Sequence, residues 1–353
     1  MNKGVEGPGA GGCNRPPIAV SEKELRVAML FIYNESTDPY YNLACEEYLI
    51  KNSNEDIFML WRNDNTIVVG KNQNTLGEIN LDYVEQHGIR VVRRLSGGGA
   101  VFHDLGNINF TFIENGGSAF SDYARFTKPI IDFLRSLGID AGLKGRNDLV
   151  IGEQKISGNA QYLYRDRILH HGTLLYSAEQ SRLADALKVS EDKIQSKGIR
   201  SVRSRVTNIS DHLGQPMPVE MFLAKLMEFM TKNNPEYKSY NLDSVKQEIE
   251  TLAEEKYRTW EWNFGYSPKY TYTKKKRYAC GGVEVQLNVM DDGIIEAAKI
   301  YGDFFSEYPV SELESMLCGK QHHKQLLGEF LKTVDVGRYI SGINGEEFLQ
   351  LLF

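Results

Sequence analysis

The chain has 353 residues, 41% of them hydrophobic and 25% charged, with a formal net charge of −6 at pH 7. This composition is ordinary for a folded globular protein and argues against global disorder, and the length allows one large and one smaller domain. The negative charge argues against nucleic acid as a partner, because non-specific binding usually needs a basic surface, and the lack of a long apolar run argues against a membrane.

The first 28 residues differ in composition from the rest of the chain. They are rich in Gly and Pro and lack the apolar region of a secretory signal. Gly7, Gly9 and Gly12 satisfy G-x-G-x-x-G, but no strand pattern precedes them and no helix pattern follows at once, so a dinucleotide-binding interpretation fails. We predict a flexible leader over 1–28 and a folded region that begins at Met29.

From Leu30 onward, strand and helix patterns follow one another. Apolar or alternating runs predict strands at 30–33, 56–62, 65–74, 89–95, 107–113 and 168–177. Helical spacing predicts helices at 39–52, 81–88, 122–138, 181–189, 219–233 and 244–257. Residues 147–161 are typical of a hairpin with Gly152 at its bend. Near the C-terminus, the chain alternates strictly from Val283 to Val289, Asp292-Gly293 then supplies a predicted hairpin turn, and two or three helices follow.

Three local expectations can be checked against the structure. The cluster Asn63-Asp64-Asn65 is typical of a turn that joins two strands. Alternation of Ile108, Phe110 and Phe112 predicts a half-buried strand. Pro129 is expected in the first turn of its helix, where the missing N–H costs little.

The mixture of hairpins and helices argues against a regular parallel βαβ repeat. The predicted fold class is α+β, with a mixed β-sheet and flanking helices followed by a small α+β C-terminal domain. We place the boundaries at 1–28 for the leader, 29–265 for the larger domain and 266–353 for the smaller one.

The cysteines and histidines carry no metal or disulfide pattern. The four cysteines lie far apart without C-x-x-C spacing, which favours reduced thiols in a cytoplasmic protein: Cys13, Cys45, Cys280 and Cys318. His170-His171 is an adjacent pair, and neighbours on a strand point to opposite faces, so we expect no shared metal site there.

The stretch "RRLSGGGAVFHD", residues 93 to 104, is the first candidate for chemistry. Consecutive glycines let backbone N–H groups converge on an anion, and an arginine adds a planar fork for phosphate oxygens. No P-loop is present, because Gly70-Lys71 is followed by Asn72, and Ser96 lacks the G-x-S-x-G spacing of a nucleophile elbow. From the residues alone, an anion-binding loop and a tight turn between strands both stay open.

Two further stretches carry charge in a suggestive pattern. In "GRNDLVIGEQKISGNAQ", Lys155 follows Asp148 by seven residues and could point into a polar cleft, although most lysines are solvated. In "KGIRSVRSRVTNIS", residues 197 to 210, Arg200, Arg203 and Arg205 lie beside serines without aromatic residues between them. By itself the second stretch is typical of a solvated basic loop.

Taken in order, these stretches with "WRNDNTIVVGKNQN", "HHGTLLYS" and "WEWNFG" closely resemble the bacterial lipoate–protein ligase family from about Met29 to the C-terminus. The resemblance implies a catalytic domain with the fold of biotin protein ligases and class II aminoacyl-tRNA synthetases. It also implies activation of lipoate with ATP to lipoyl-adenylate and pyrophosphate. Transfer then follows to a lysine of apo lipoyl domains, in 2-oxo acid dehydrogenase acyltransferase subunits and the glycine cleavage H protein.

The resemblance also implies site residues. The expected ATP contacts are Arg94, Gly99, Ala100, Val101, Phe102 and Lys155, and the expected lipoate contacts are Gly97, Gly98, His103 and Lys155. Lys155 is expected to stabilise developing negative charge, with Asp148 orienting it or holding Mg²⁺ beside the phosphates. The basic stretch around Arg200–Arg205 resembles the segment that orders over the adenylate in the family.

Three alternatives are kept beside this hypothesis. An octanoyl- or lipoyl-transferase of the same fold works without ATP through a cysteine nucleophile, and no cysteine lies beside the glycine loop in sequence. A biotin ligase is disfavoured because its Arg-rich glycine motif differs. A lipoate-binding protein without catalysis is disfavoured by the presence of Arg94, Asp148 and Lys155.

Overall fold

The structure, a computed structural model, describes residues 29–179, 186, 206–264, 272–290 and 293–353. The predicted leader, the predicted helix over 181–189 apart from Ala186, Asp292 of the predicted hairpin turn and the arginines at 200, 203 and 205 lie outside these described residues.

An eight-stranded sheet forms the centre of the larger part of the chain. Its strands are β1 (Leu30–Tyr33), β2 (Ile57–Trp61), β6 (Asn107–Asn115), β7 (Ala141–Lys144), β8 (Asp148–Ile151), β9 (Gln154–Tyr164), β10 (Arg167–Leu175) and β11 (Lys238–Ser239). Their spatial order is β11-β1-β2-β6-β10-β9-β8-β7. The β11-β1 and β1-β2 pairs are parallel and the remaining pairs are antiparallel, so the sheet is mixed as predicted.

A separate three-stranded sheet carries the glycine loop. It consists of β3 (Thr66–Val69), β4 (Arg90–Arg93) and β5 (Val101–His103), with β3 in the centre. Asn65, at φ 44°, turns the chain between β2 and β3, but the two strands belong to different sheets. The predicted turn is therefore present, and it leads the chain from one sheet into the other.

Helices pack around these sheets. They are α1 (Pro39–Asn52), α2 (Thr75–Glu78), α3 (Leu81–Gln86), α4 (Tyr123–Ser136), α5 (Val219–Lys232), α6 (Lys246–Leu252) and α7 (Trp260–Asn263). The expectation for Pro129 is wrong, because it lies inside α4. Asp122 caps the helix by accepting the Arg125 N–H, and Tyr123 and Phe126 are buried, so the helix begins well before the proline.

The expectation of a half-buried strand at 107–113 is also wrong, because both of its faces are buried. Ile108, Phe110 and Phe112 pack in an apolar core with α4. On the opposite face Asn109 and Thr111 are buried as well. These polar residues face the interior between the sheet and α1, where buried polar groups need hydrogen-bond partners or a ligand.

The C-terminal residues form a small sheet covered by helices with an apolar core of its own. The strands β12 (Tyr272–Tyr278), β13 (Gly281–Val289) and β14 (Ile295–Gly302) pair antiparallel, and the helices are α8 (Val310–Leu317), α9 (Lys324–Leu331) and α10 (Gly345–Leu349). The predicted α+β fold class is confirmed. None of the helices in the described ranges has the length and apolar character that crossing a bilayer requires.

Candidate functional site

A cavity of about 400 Å³ lies where the glycine loop, the β8-β9 hairpin and the C-terminal unit meet. Its described lining carries four cations and two carboxylates: Arg94, Arg146, Lys155, Arg277, Asp148 and Asp303. The lining turns apolar and aromatic on the side of Leu43, Trp61 and Val68. A pocket with charge at one side and apolar walls at the other suits a ligand that is anionic at one end and apolar at the other.

The glycine loop between β4 and β5 is shaped by close approach of other backbone segments. A Cβ atom at residue 97 would lie 2.5 Å from the carbonyl oxygen of Phe304, and one at residue 70 would lie 1.9 Å from that of Gly98. Gly98 adopts φ 95°, a conformation that L side chains rarely adopt. Gly98 also donates its N–H to the Phe304 carbonyl at 3.2 Å, which joins the loop to the C-terminal unit.

The two arginines before the glycines point to different places. Arg93 donates to the carbonyls of Gly70, Lys71, Gln73, Trp262 and Asn263 and to the Thr75 hydroxyl, so it anchors α7 and the 70–75 segment. Arg94 lines the cavity and donates to the carbonyls of Gly97 and Gly99 at 2.7 and 2.9 Å. Burial lowers the pKa of Arg94 to about 10, an effect that the Glu46 carboxylate opposes, so the guanidinium stays charged at neutral pH.

Lys155 and Asp148 form the ion pair of the cavity. Lys155 Nζ lies 2.7 Å from Asp148 Oδ1, and both side chains are about two-fifths exposed. Both side chains line the cavity, so Lys155 points into a polar cleft, the orientation that the sequence allowed. The fold brings the pair together because β8 and β9 are adjacent antiparallel strands with Gly152 at their bend, at φ 58°.

The C-terminal unit contributes two more charged contacts to the cavity. The Arg146 guanidinium lies over the Phe305 ring, 4.2 Å from its centroid, a cation–π arrangement that joins the hairpin to the C-terminal unit. Arg277 lies 4.0 Å from Asp303, whose carboxylate also accepts the Gly282 N–H.

The inner side of the cavity holds two buried N–H donors that have no hydrogen-bond partner among the described residues, His103 Nε2 and Asn109 Nδ2. Asn63 donates to His103 Nδ1, which places the proton of the neutral ring on Nε2. Burial, together with the charge of Arg94 and the nearby His171, lowers the pKa of His103 to about 3. His103 is therefore neutral at physiological pH and offers an N–H to a ligand.

Most of the residues predicted for the site come together at this cavity, and their individual roles stay predictions. Those that line it are Arg94, Gly98, Gly99, Ala100, Val101, His103, Asp148 and Lys155. Gly97 packs against Phe304, and the Phe102 side chain packs in the apolar core beneath the three-stranded sheet. Phe102 points away because Val101 and His103, its neighbours on a strand, take the cavity side.

Sequence reasoning missed the contribution of the C-terminal unit. Arg277, Cys280, Asp303 and Phe305 line the cavity without any local motif that could announce it. It also missed the inner wall, where Trp61, Asn109, Asn159 and His171 lie. The polar position Asn109, which alternates with apolar ones on a predicted strand, was the available signal for that wall.

The carboxylates that line the cavity suit a magnesium ion only if substrate phosphates supply the other ligands. Mg²⁺ usually takes one or two carboxylates together with substrate phosphates and waters. Asp148 and Asp303 are the described carboxylates of the cavity, and the described residues contain no group of three or more His, Cys, Asp or Glu that could hold a metal ion.

Comparison with known proteins places the chain in one family. A family model described as the lipoyl protein ligase A/B catalytic domain matches residues 38–231, and one described as the bacterial lipoate protein ligase C-terminus matches 267–352. The lipoate-protein ligase LplJ of Bacillus subtilis is 45% identical over 334 residues, which cover 92% of this chain and all of the relative.

Solved structures agree with the sequence comparison. The structure of P. falciparum LipL1 in complex with lipoate is 27% identical, with a TM-score of 0.77 and coverage of 92% of this chain and 97% of that one. A structure of lipoate-protein ligase A bound with ATP is 25% identical, with a TM-score of 0.58 and coverage of 68% and 99%. Because both family models and full-length relatives match, this chain belongs to the lipoate–protein ligase family.

Proposed function

We propose that this protein activates lipoate with ATP and transfers the lipoyl group to a lysine of an apo lipoyl domain. In the first step a lipoate carboxylate oxygen bonds to the α-phosphorus of ATP and the bond to pyrophosphate breaks. In the second step the neutral carrier amine bonds to the acyl carbon, AMP leaves with the bonding electrons, and the amine loses a proton. The observation that carries the proposal is one cavity that has Lys155 and Arg94 together with the apolar side of Leu43, Trp61 and Val68.

The first step brings two anions together, so it needs fixed positive charge where they meet. Lys155 reaches the cavity from the β8-β9 hairpin, and its ion pair with Asp148 holds the ammonium in place. We assign Lys155 to the lipoyl carboxylate and the α-phosphate, where a preorganised cation stabilises the charge that develops in the transition state. No covalent enzyme intermediate is needed.

The glycine loop supplies the second part of the nucleotide site. The chain carries the stretch Gly99, Ala100 and Val101 along the cavity wall, and Arg94 supports it from below through carbonyl contacts. We assign this stretch and the Phe102 backbone to ATP, and Gly97, Gly98 and His103 to lipoate. When bound, Mg²⁺ would neutralise phosphate charge, and Asp148 is the carboxylate assigned to it.

The partners follow from the same proposal. Lipoate occupies the inner side of the cavity, with its apolar chain against Trp61 and the donors of His103 and Asn109 within reach. The acceptors are apo lipoyl domains of 2-oxo acid dehydrogenase complexes and the glycine cleavage H protein, and we place the reaction in the cytoplasm. We also propose that the catalytic domain covers 29–265 and the C-terminal domain 266–353.

The transferase alternative needs a reactive thiol in the acyl pocket. The fold does bring Cys280 to the cavity, which the sequence did not reveal. Burial, however, raises the pKa of the Cys280 thiol, which disfavours the thiolate that a nucleophile requires. Cys45, a residue of α1, is completely buried, and burial raises its pKa as well. These shifts favour the ATP-dependent ligase.

An acyl-transfer assay on an apo lipoyl domain separates the alternatives. We expect the mass of the carrier to rise by one lipoyl group only when both lipoate and ATP are supplied. Transfer from an octanoylated carrier without ATP would favour the transferase instead. Binding of lipoate without modification of any carrier would favour a non-catalytic protein. Cys280→Ser is the matched variant, and we expect it to retain the ATP-dependent reaction.

A further inference from the structure

Four buried polar side chains form one hydrogen-bonded chain from the glycine loop into the core. Arg94 Nε donates to Ser96 Oγ at 3.1 Å, Ser96 Oγ lies 2.6 Å from His171 Nε2, and His171 Nδ1 lies 3.0 Å from both carboxylate oxygens of Glu46. All four residues are buried. We call this set the Arg94–Glu46 chain.

When the His171 ring is neutral, the chemistry of the two ends sets the direction of every hydrogen bond. The guanidinium of Arg94 can only donate and an ionised Glu46 can only accept. His171 therefore donates its Nδ1 proton to Glu46 and presents Nε2 as an acceptor. Ser96 accepts from Arg94 and gives its hydroxyl proton to His171. The chain thus runs from a buried cation to a buried anion with each polar atom matched.

A serine, histidine and carboxylate in line resemble a hydrolase triad, but the surroundings exclude that role. Ser96 is 1% exposed and is not among the described residues that line the cavity. Its oxygen already accepts a hydrogen bond from a guanidinium, which lowers its basicity and occupies a lone pair. A substrate carbonyl has no path to this hydroxyl, so the serine is not a nucleophile.

The glycine loop depends on the upper end of the chain. Beyond Ser96, the Arg94 guanidinium donates to the carbonyls of Val68, Gly97 and Gly99. Fixing Nε through Ser96 therefore fixes the plane of the guanidinium and with it both carbonyls of the loop. Glu46 also opposes the fall in the pKa of Arg94 that burial causes.

The lower end of the chain lies against the inner wall of the cavity. His171 lines the cavity directly, and Glu46 accepts a second hydrogen bond from Thr111 at 2.6 Å. Thr111 in turn accepts from Trp61 Nε1 at 2.9 Å, and Trp61 also lines the cavity. One buried carboxylate therefore ties the wall assigned to the acyl chain to the arginine beneath the loop assigned to the nucleotide.

We propose that Ser96, His171 and Glu46 are positioning residues that hold Arg94 and the Gly97–Gly99 turn in the geometry needed for adenylation. This inference rests on the proposed function, because it assigns a role within its first step. The residues act through Arg94, and Ser96 does so without any contact with the cavity.

The test measures lipoate-dependent pyrophosphate release from ATP by Ser96→Ala. We expect kcat to fall roughly tenfold or more, equivalent to about 1.4 kcal/mol, because Arg94 and His171 both lose a partner. We expect the KM for lipoate to change by less than about twofold, since Ser96 does not line the cavity. Thr127→Ala, which removes a similarly buried hydroxyl bonded to the Tyr123 carbonyl in α4, is the matched control.

A double-variant cycle distinguishes positioning from wall packing. If Ser96 and His171 act in one chain, Ser96→Ala with His171→Gln is barely slower in kcat than the slower single variant. Multiplicative losses in kcat would overturn the proposal, and so would an unchanged kcat in Ser96→Ala while the wild type is active. Thermal unfolding of each variant measures how much stability it loses. The loss in kcat is then compared with that of Thr127→Ala at the same loss of stability. Absence of pyrophosphate release by the wild type would overturn the proposed function itself, and the positioning role with it.

Discussion

The side chain of Lys155 passes directly over Gly158, and both residues lie on β9. A Cβ atom at residue 158 would lie 3.1 Å from Nζ and 3.3 Å from Cε of Lys155. Gly158 is also the residue that pairs with Asp148 across the β8-β9 hairpin, where a register shift follows Leu149. The missing side chain at 158 therefore leaves the space through which Lys155 reaches the Asp148 carboxylate.

Removal of the lysine tests its assignment. We expect Lys155→Ala to lower the rate of adenylate formation roughly 10²- to 10³-fold, as for loss of one preorganised donor at a developing charge. Stability should change little, because a pair this exposed contributes only about 0–1 kcal/mol. Single-turnover formation of lipoyl-adenylate is the measurement. Lys144→Ala is the matched control, since Lys144 pairs with Glu153 at the exposed end of the same hairpin. Equal rates for Lys155→Ala and this control would refute the assignment.

Asp148 can be tested for its two predicted roles separately. If its main role is to orient Lys155, Asp148→Asn lowers kcat roughly tenfold, about 1.4 kcal/mol, without a shift in the Mg²⁺ concentration for half-maximal rate. The ion pair at 2.7 Å favours this outcome. A Mg²⁺ titration of the variant is the measurement. A rightward shift of the titration with an unchanged rate at saturation would instead assign Asp148 to the metal.

A methyl group at residue 158 should disturb the lysine and leave the fold intact. Gly158→Ala places its Cβ against the flexible end of Lys155, which moves away from Asp148 at little cost in stability. We expect kcat for adenylation to fall roughly tenfold. Gly142→Ala on β7, where a Cβ meets nothing within 4 Å, is the control and should behave as wild type. A slow Gly142→Ala variant, or a fully active Gly158→Ala variant, would contradict this explanation.

The buried histidine makes a prediction about acid stability. The pKa of His103 is lowered to about 3 in the folded state, below the ordinary value of 6.5, so the unfolded chain binds more protons between these values. The free energy of unfolding therefore falls as pH drops below about 6.5, and at pH 5 this group accounts for about 2 kcal/mol.

Urea unfolding between pH 7 and 5 measures this slope in wild type and in His103→Gln. The variant should lose part of the acid sensitivity. His87→Gln, which changes an exposed histidine, should retain the full slope. The same acid sensitivity in His103→Gln as in wild type would show that His103 is not buried as a neutral ring.

Local pattern was sufficient where neighbours along the chain decide the structure. The hairpin with Gly152 at its bend places Lys155 beside Asp148, as its strand-turn-strand pattern indicated. Pattern failed where distant segments decide. Pro129 lies inside α4 because Tyr123 and Phe126, which pack against His170 of β10, extend the helix ahead of it.

The other failures have the same origin. Phe305 and Cys280 reach the cavity only because the C-terminal unit packs on the glycine loop, and no pattern near either residue records that contact. The strand 107–113 carries polar residues at alternate positions, and sequence alone does not tell a solvated face from a face that lines a buried cavity. Ser96 was rejected as a nucleophile by its spacing, but its link to His171 joins two residues 75 positions apart and left no local trace.

The central claim is that the cavity catalyses adenylation of lipoate, and ATP–pyrophosphate exchange tests it most directly. The exchange needs no carrier protein, so it isolates the first step from transfer. We predict that label from pyrophosphate enters ATP only when lipoate and Mg²⁺ are present, and that Lys155→Ala slows the exchange roughly 10²- to 10³-fold. A well-folded wild-type protein that shows no lipoate-dependent exchange, or exchange that is unchanged in Lys155→Ala, would contradict the account.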